Sequence, residues 1–160
     1  SNTTAAGSID NVSMRTFAMP TLYATVASAA HTTVSAKINA ITFGTLAGVV
    51  GFMDEAGDHF LCARTNGEHV TLEKFVSGVR TRLVFVLVTF SANAQIEIRR
   101  PSGNTFQLWY NGSQCGTDQT VSDAGIIDNT LYGLFSTYEG NLFSEFSLDD
   151  YVVPFGLPGA

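Results

Sequence analysis

The chain has 160 residues, 45% of them hydrophobic and only 14% charged, with a formal net charge of −6. This supplies the core of one domain, and the acidic balance disfavours nucleic acid or an anionic membrane surface as a partner. No apolar run approaches the roughly 20 residues of a spanning helix, so membrane insertion is not expected.

Residues 1–16 are polar, small and aperiodic, and are expected to form an extended N-terminal arm. A single β domain is expected over 17–153, and an irregular tail over 154–160. The chain does not begin with Met, which suggests a processed or excised product or numbering from within a longer one. Asn2-Thr3-Thr4, Asn11-Val12-Ser13 and Asn111-Gly112-Ser113 match the N-glycosylation acceptor, which matters only on a secretory route.

Residues 33–40 alternate, with Val34, Ala36, Ile38 and Ala40 on one side, and read as a half-buried strand. Residues 46–53 are apolar but carry Gly48 and Gly51, which favours a strand with close backbone approach over a helix. Two alternating runs flank Asn66-Gly67, a preferred hairpin dipeptide. A two-residue turn there would set Thr65 against Glu68, Ala63 against Val70 and Leu61 against Leu72. Leu61 and Leu72 then face the core, while Cys62, Arg64, His69 and Glu73 face away.

Residues 82–90 are nearly continuous Val, Leu and Phe, the pattern of a strand buried on both faces. Residues 95–99 alternate with Ile96 and Ile98 inward. A second hairpin centres on Asn111-Gly112, pairing Tyr110 with Ser113 and Leu108 with Cys115. Phe106, Leu108 and Cys115 point inward, and Gln107, Trp109 and Gln114 point to the other face. A polar loop over 118–129 is followed by strands near 131–136 and 142–152, with a turn at Glu139-Gly140-Asn141.

Short strands at about ten-residue spacing, with no sustained helical period, argue for an antiparallel β-sandwich. Cys62 outward and Cys115 inward would leave two free thiols. The three histidines have no partner at zinc spacing.

Phe106-Gln-Leu-Trp-Tyr-Asn-Gly-Ser-Gln-Cys-Gly is similar to the laminin-G-like pattern of a strand, an Asn-Gly turn and a return strand. Leu131-Tyr-Gly-Leu-Phe and the run 143–151 resemble that group's closing strands, and 33–52 an earlier pair. The chain therefore resembles a concanavalin A-like jelly roll, the lectin, glucanase and laminin-G-like group. The group's opening strand is weak before Thr21, so it is expected from beyond the chain's start or from another subunit.

The resemblance implies an all-β fold and a choice of uses. Glucanases of the group carry Glu-x-Asp-x-x-Glu on one strand. That pattern is absent here, so a non-catalytic module is expected, with a glycoside hydrolase as the least favoured reading. The first expectation is a binding and assembly module on a larger structure, most plausibly a bacteriophage virion, with other protein subunits as partners. The alternative is a lectin-like adhesion module that contacts a cell-surface glycan through Trp109, Gln107 and Gln114. A virion or the extracellular surface is the location that suits either. Calcium is the cofactor the group suggests, with Asp54 and Asp58 as candidate oxygen ligands, although no loop signature surrounds them.

Overall fold

The computed structural model describes residues 30–149 in full and the backbones of 12–16, 22–27 and 151–152. The strands are β1 (Val12–Thr16), β2 (Leu22–Ala27), β3 (Thr33–Ala40), β4 (Ala47–Met53), β5 (Phe60–Thr65), β6 (His69–Val76) and β7 (Val79–Leu87). They continue as β8 (Ala94–Ser102), β9 (Thr105–Tyr110) and β10 (Ser113–Thr120), then, after one helical turn α1 (Ala124–Ile127), β11 (Leu131–Ser136), β12 (Leu142–Leu148) and β13 (Tyr151–Val152).

They form two antiparallel sheets. One has seven strands in the order β1-β2-β11-β4-β5-β6-β7, and the other six in the order β10-β9-β8-β3-β12-β13. The core lies between them. Val34, Ala36 and Ile38 of β3 and Ile96 and Ile98 of β8 meet Val49, Leu61, Ala63 and Leu72 from the seven-stranded sheet. Phe52 packs edge-on against Phe106 of β9 and Tyr132 of β11, with ring centroids 5.1 and 5.3 Å away. Gly48 is required by sterics, since a Cβ there would lie 1.9 Å from the Ala63 carbonyl oxygen.

The all-β sandwich is as expected, and β3 has its expected ends. The Asn111-Gly112 hairpin pairs Ser113 with Tyr110 and Cys115 with Leu108, as the sequence predicts. Both turn residues have positive φ, 49° and 85°, as a type I′ turn requires.

Several expectations need correction. The Asn66-Gly67 hairpin pairs Thr65 with Val70 and Ala63 with Leu72, two residues away from the two-residue-turn register. Asn66 Oδ1 accepts from the N–H groups of Glu68 and His69, which favours a wider loop. A shift of two keeps every side chain on its face, so Leu61 and Leu72 remain in the core.

Cys62, expected outward, is fully buried. It sits on the second face of its sheet in a separate cluster with Val50, Met53, Phe60 and Phe135. Both cysteines are free, as expected.

The run 82–90, expected to be buried on both faces, forms most of β7, which is an edge strand. Val84 faces the core while Phe85 and Leu87 are 44% and 75% exposed. Apolar continuity reports affinity for a sheet and does not report whether anything covers its second face.

The strands β1 and β2 lie within the chain. The opening pair is therefore not left to another subunit, and β1 falls inside the stretch expected to be an arm. Residues 1–11 of that arm and the tail 154–160 lie outside the described residues. The expected loop over 118–129 gives its start to β10 and holds α1. The expected last strand breaks at Asp149, where φ is 54°.

Candidate functional site

Alternation sends one side chain of every pair on β8 and β9 to the outer face of the six-stranded sheet, and registration aligns them into rows. One row runs Ser147, Ser35, Glu97, Trp109, Gln114 across β12, β3, β8, β9 and β10. Beside it, Thr33 pairs with Arg99 and Arg99 with Gln107. Among the described residues these two rows are polar, with one aromatic ring, that of Trp109.

Thr33, Ser35, Gln95, Glu97, Arg99, Ser147 and Asp149 line an open cleft of about 450 Å³ on this face. Glu97 is buried at its floor, only 5% exposed. Arg99 neutralises it with two parallel bonds, Nε to Oε1 at 2.9 Å and Nη2 to Oε2 at 3.2 Å. Such bidentate pairing fixes both groups in one geometry. The guanidinium carbon also lies 3.7 Å from the Trp109 ring centroid, a cation–π stack.

Asp149 closes one end of the cleft. Its Oδ1 accepts from the N–H groups of Thr32 and Thr33 and from the Thr32 hydroxyl, and its Oδ2 lies 2.7 Å from His31 Nδ1. Burial pushes this carboxyl up, but the bonds from His31, Thr32 and Thr33 outweigh it and hold the pKa below the ordinary value.

At the other end, Trp109 Nε1–H donates to Gln107 Oε1 at 2.9 Å. The amides of Gln107 and Gln114 both donate to Asp118 Oδ1, at 2.8 and 2.9 Å. The bonds from Gln114 and Gln107 lower the Asp118 pKa. The three residues singled out from sequence, Trp109, Gln107 and Gln114, are thus brought together. Their mutual bonds occupy the indole N–H and the Arg99 guanidinium covers one ring face, which leaves the cleft beside them for a ligand.

Sequence reasoning missed Glu97 and Arg99 as parts of a site, and reads Asp118 and Asp149 only as loop carboxylates that could suit calcium. The signal available was the second phase of the strand over 95–99, which places Gln95, Glu97 and Arg99 on one side. Which strands flank it, and in what register, is set by long-range pairing.

Asp54 and Asp58 lie elsewhere, in the turn between β4 and β5. Asp54 Oδ1 accepts from the N–H groups of Gly57, Asp58 and His59 at 2.9 to 3.1 Å. Asp54 Oδ2 and Asp58 Oδ1 converge on His59 Nδ1, at 3.1 and 2.6 Å. Burial opposes ionisation of Asp54, but the backbone N–H groups of His59 and Asp58 prevail and lower its pKa. The bond to Asp58 is the main cause that raises the His59 pKa. The donors around both carboxylates come from the protein itself, and the three side chains converge within 4.8 Å.

No protein-family model matches the chain, and no curated protein matches it in sequence. Solved structures do match in shape. The carbohydrate-binding module CBM66 from Bacillus subtilis superposes with a TM-score of 0.66 at 12% identity, over 88% of this chain and 92% of that one. Sheep galectin-11, in complex with glycerol, superposes with a TM-score of 0.56 at 11% identity, over 88% of this chain and 98% of that one. The fold is a concanavalin A-like jelly roll. In this jelly roll the polar rows occupy the outer face of the six-stranded sheet, and the seven-stranded sheet closes the other side of the core. At these identities the likeness gives the fold, and neither of the two structures is named as a virion protein.

Proposed function

We propose that this jelly roll binds carbohydrate, without chemistry, in the cleft between Asp149 and Trp109. The observation that carries the reading is the pairing of buried Glu97 with the partly exposed Arg99 beneath an open polar cleft, flanked by the aromatic ring. Sugars present hydroxyls in fixed directions and apolar C–H faces. Fixed carboxylate, guanidinium, amide and hydroxyl groups suit the first, and the apolar surface of an aromatic ring suits the second. Two of the proteins of this shape, a carbohydrate-binding module and a galectin, carry names that agree with it.

The reading favours a neutral glycan. Glu97, Asp118, Asp149 and Glu145 line or flank the face, against Arg99 and Lys37, and Lys37 is already paired with Glu145 at 2.7 Å. An anionic sugar would meet a surplus of carboxylates. A module of this kind acts at an extracellular or cell surface, where glycans are displayed.

Trp109 is the only tryptophan in the chain. Its emission therefore reads the site directly. Titration with neutral oligosaccharides is expected to shift Trp109 emission saturably, with Glu97→Gln and Trp109→Ala each weakening binding about 10- to 100-fold, the latter followed by calorimetry. A glycan array without a hit, together with unchanged emission across that series, removes the proposal.

A further inference from the structure

A second constellation lies where the β4–β5 and β6–β7 turns meet, and it goes beyond the carbohydrate reading. Asp58 Oδ1 and Asp54 Oδ2 both face His59 Nδ1. A nitrogen between two carboxylates carries the proton and donates it, so in the neutral ring Nε2 is the acceptor. That Nε2 lies 3.4 Å from the Ser77 hydroxyl oxygen.

The arrangement is held from three sides. The Gly78 N–H donates to the Asp58 carbonyl at 2.9 Å, tying one turn to the other. Gly125 of α1 lies against the imidazole so closely that a Cβ there would come within 2.6 Å of His59 Cδ2. Asp123, just before that helix, is paired with Lys74 of β6 at 2.8 Å. The turn Ser77-Gly78 has φ values of 50° and 75°. Serine rarely occupies that region, where glycine or asparagine is the usual choice. Ser77 is exposed, so a reagent can reach its hydroxyl.

We propose that Ser77, His59 and the Asp58–Asp54 carboxylates form an acyl-transfer centre for small carboxylic esters. Ser77 Oγ bonds to the ester carbonyl carbon as its proton passes to His59 Nε2. The ester C–O bond then breaks, and the leaving alcohol takes that proton. Water next attacks the acyl-serine, giving a proton to Nε2. The Oγ–acyl bond breaks, a carboxylic acid leaves and Ser77 regains its proton. Asp58 and Asp54 act as positioning residues by holding the tautomer and the ring plane. The Gly78 N–H is already donated to Asp58, so it does not stabilise the oxyanion. Both steps are slowed by that lack, and with an activated ester, whose leaving group departs readily, hydrolysis of the acyl-serine is the slower step and the adduct accumulates.

The test treats the whole chain with a fluorophosphonate probe and with p-nitrophenyl acetate in mildly alkaline buffer, and maps the adduct by peptide mass spectrometry. One adduct per chain on Ser77 is expected, with a stoichiometric burst of nitrophenol. His59→Gln should slow the burst at least ~100-fold, and Asp58→Asn should slow it while leaving the imidazole in place. Ser77→Gly suits the turn better than serine does, so it should fold with an equal or higher Tm and take no label. An adduct elsewhere, no adduct, or a burst unchanged in the folded Ser77→Gly or Asp58→Asn proteins overturns the proposal.

Discussion

At the scale of single residues, the function of a side chain here follows from what already occupies its polar atoms. Trp109 gives its N–H to Gln107, and Gln107 and Gln114 converge on Asp118. The network depends on an ionised Asp118, whose pKa is depressed because Gln114 and Gln107 donate to the charged form. A depressed carboxyl contributes order that is complete above its unfolded value, about 3.9, and is lost as pH falls through the folded one. Trp109 emission is therefore expected to stay constant from neutrality down to about pH 4 and to change below it. Asp118→Asn should abolish that transition, as a fluorescence titration would show. The cysteines follow the same logic with the opposite sign. Burial pushes both thiols up, Cys62 the further, and the thiolate is the reactive form. Iodoacetamide is expected to leave both unmodified in the native protein and to label both in urea, counted by intact mass.

At the scale of elements, alternation was legible in the sequence and covering was not. Thr33–Ala40 and the Asn111-Gly112 hairpin could be placed from period and turn chemistry, because both signals are local. The strand β7 could not, since a Val, Leu and Phe run reads the same whether a neighbouring sheet covers one face or two. Cys62 failed for the complementary reason. Its phase was right, but the second face of its sheet carries an apolar cluster of its own. The same limit governed the cleft, whose Glu97 and Trp109 were each assigned a face, while their row depends on the β8–β9 register. These differences set the energetics. Leu87→Thr on the exposed side of β7 is expected to change unfolding free energy by no more than about 0.5 kcal/mol in urea. Gly48→Ala, by contrast, drives a Cβ into the Ala63 carbonyl. It should cost about 3 kcal/mol or prevent folding, because the obstacle is backbone and cannot rotate away.

At the scale of the whole molecule, the two proposed sites sit on different layers and share only the core. The cleft is on the outer face of the six-stranded sheet, and Ser77 is in the β6–β7 turn of the seven-stranded one. No residue takes part in both. Substitutions without shared partners act independently, so Trp109→Ala should weaken sugar binding and leave Ser77 labelling intact, while Ser77→Gly should do the reverse. A core substitution is the control that couples them. Leu108 is fully buried on β9, on the opposite side of the strand from Trp109, and belongs to the cluster joining both sheets. Leu108→Ala is expected to cost about 2–5 kcal/mol of stability, measured by urea unfolding. It loosens the layer under Trp109 and the packing between the sheets together, so both readouts should weaken in parallel as denaturant rises. If sugar binding and labelling failed at well-separated urea concentrations in that variant, the layers would be opening separately. The jelly roll would then be two cooperative units rather than one, and the shared-core account of its stability would be wrong.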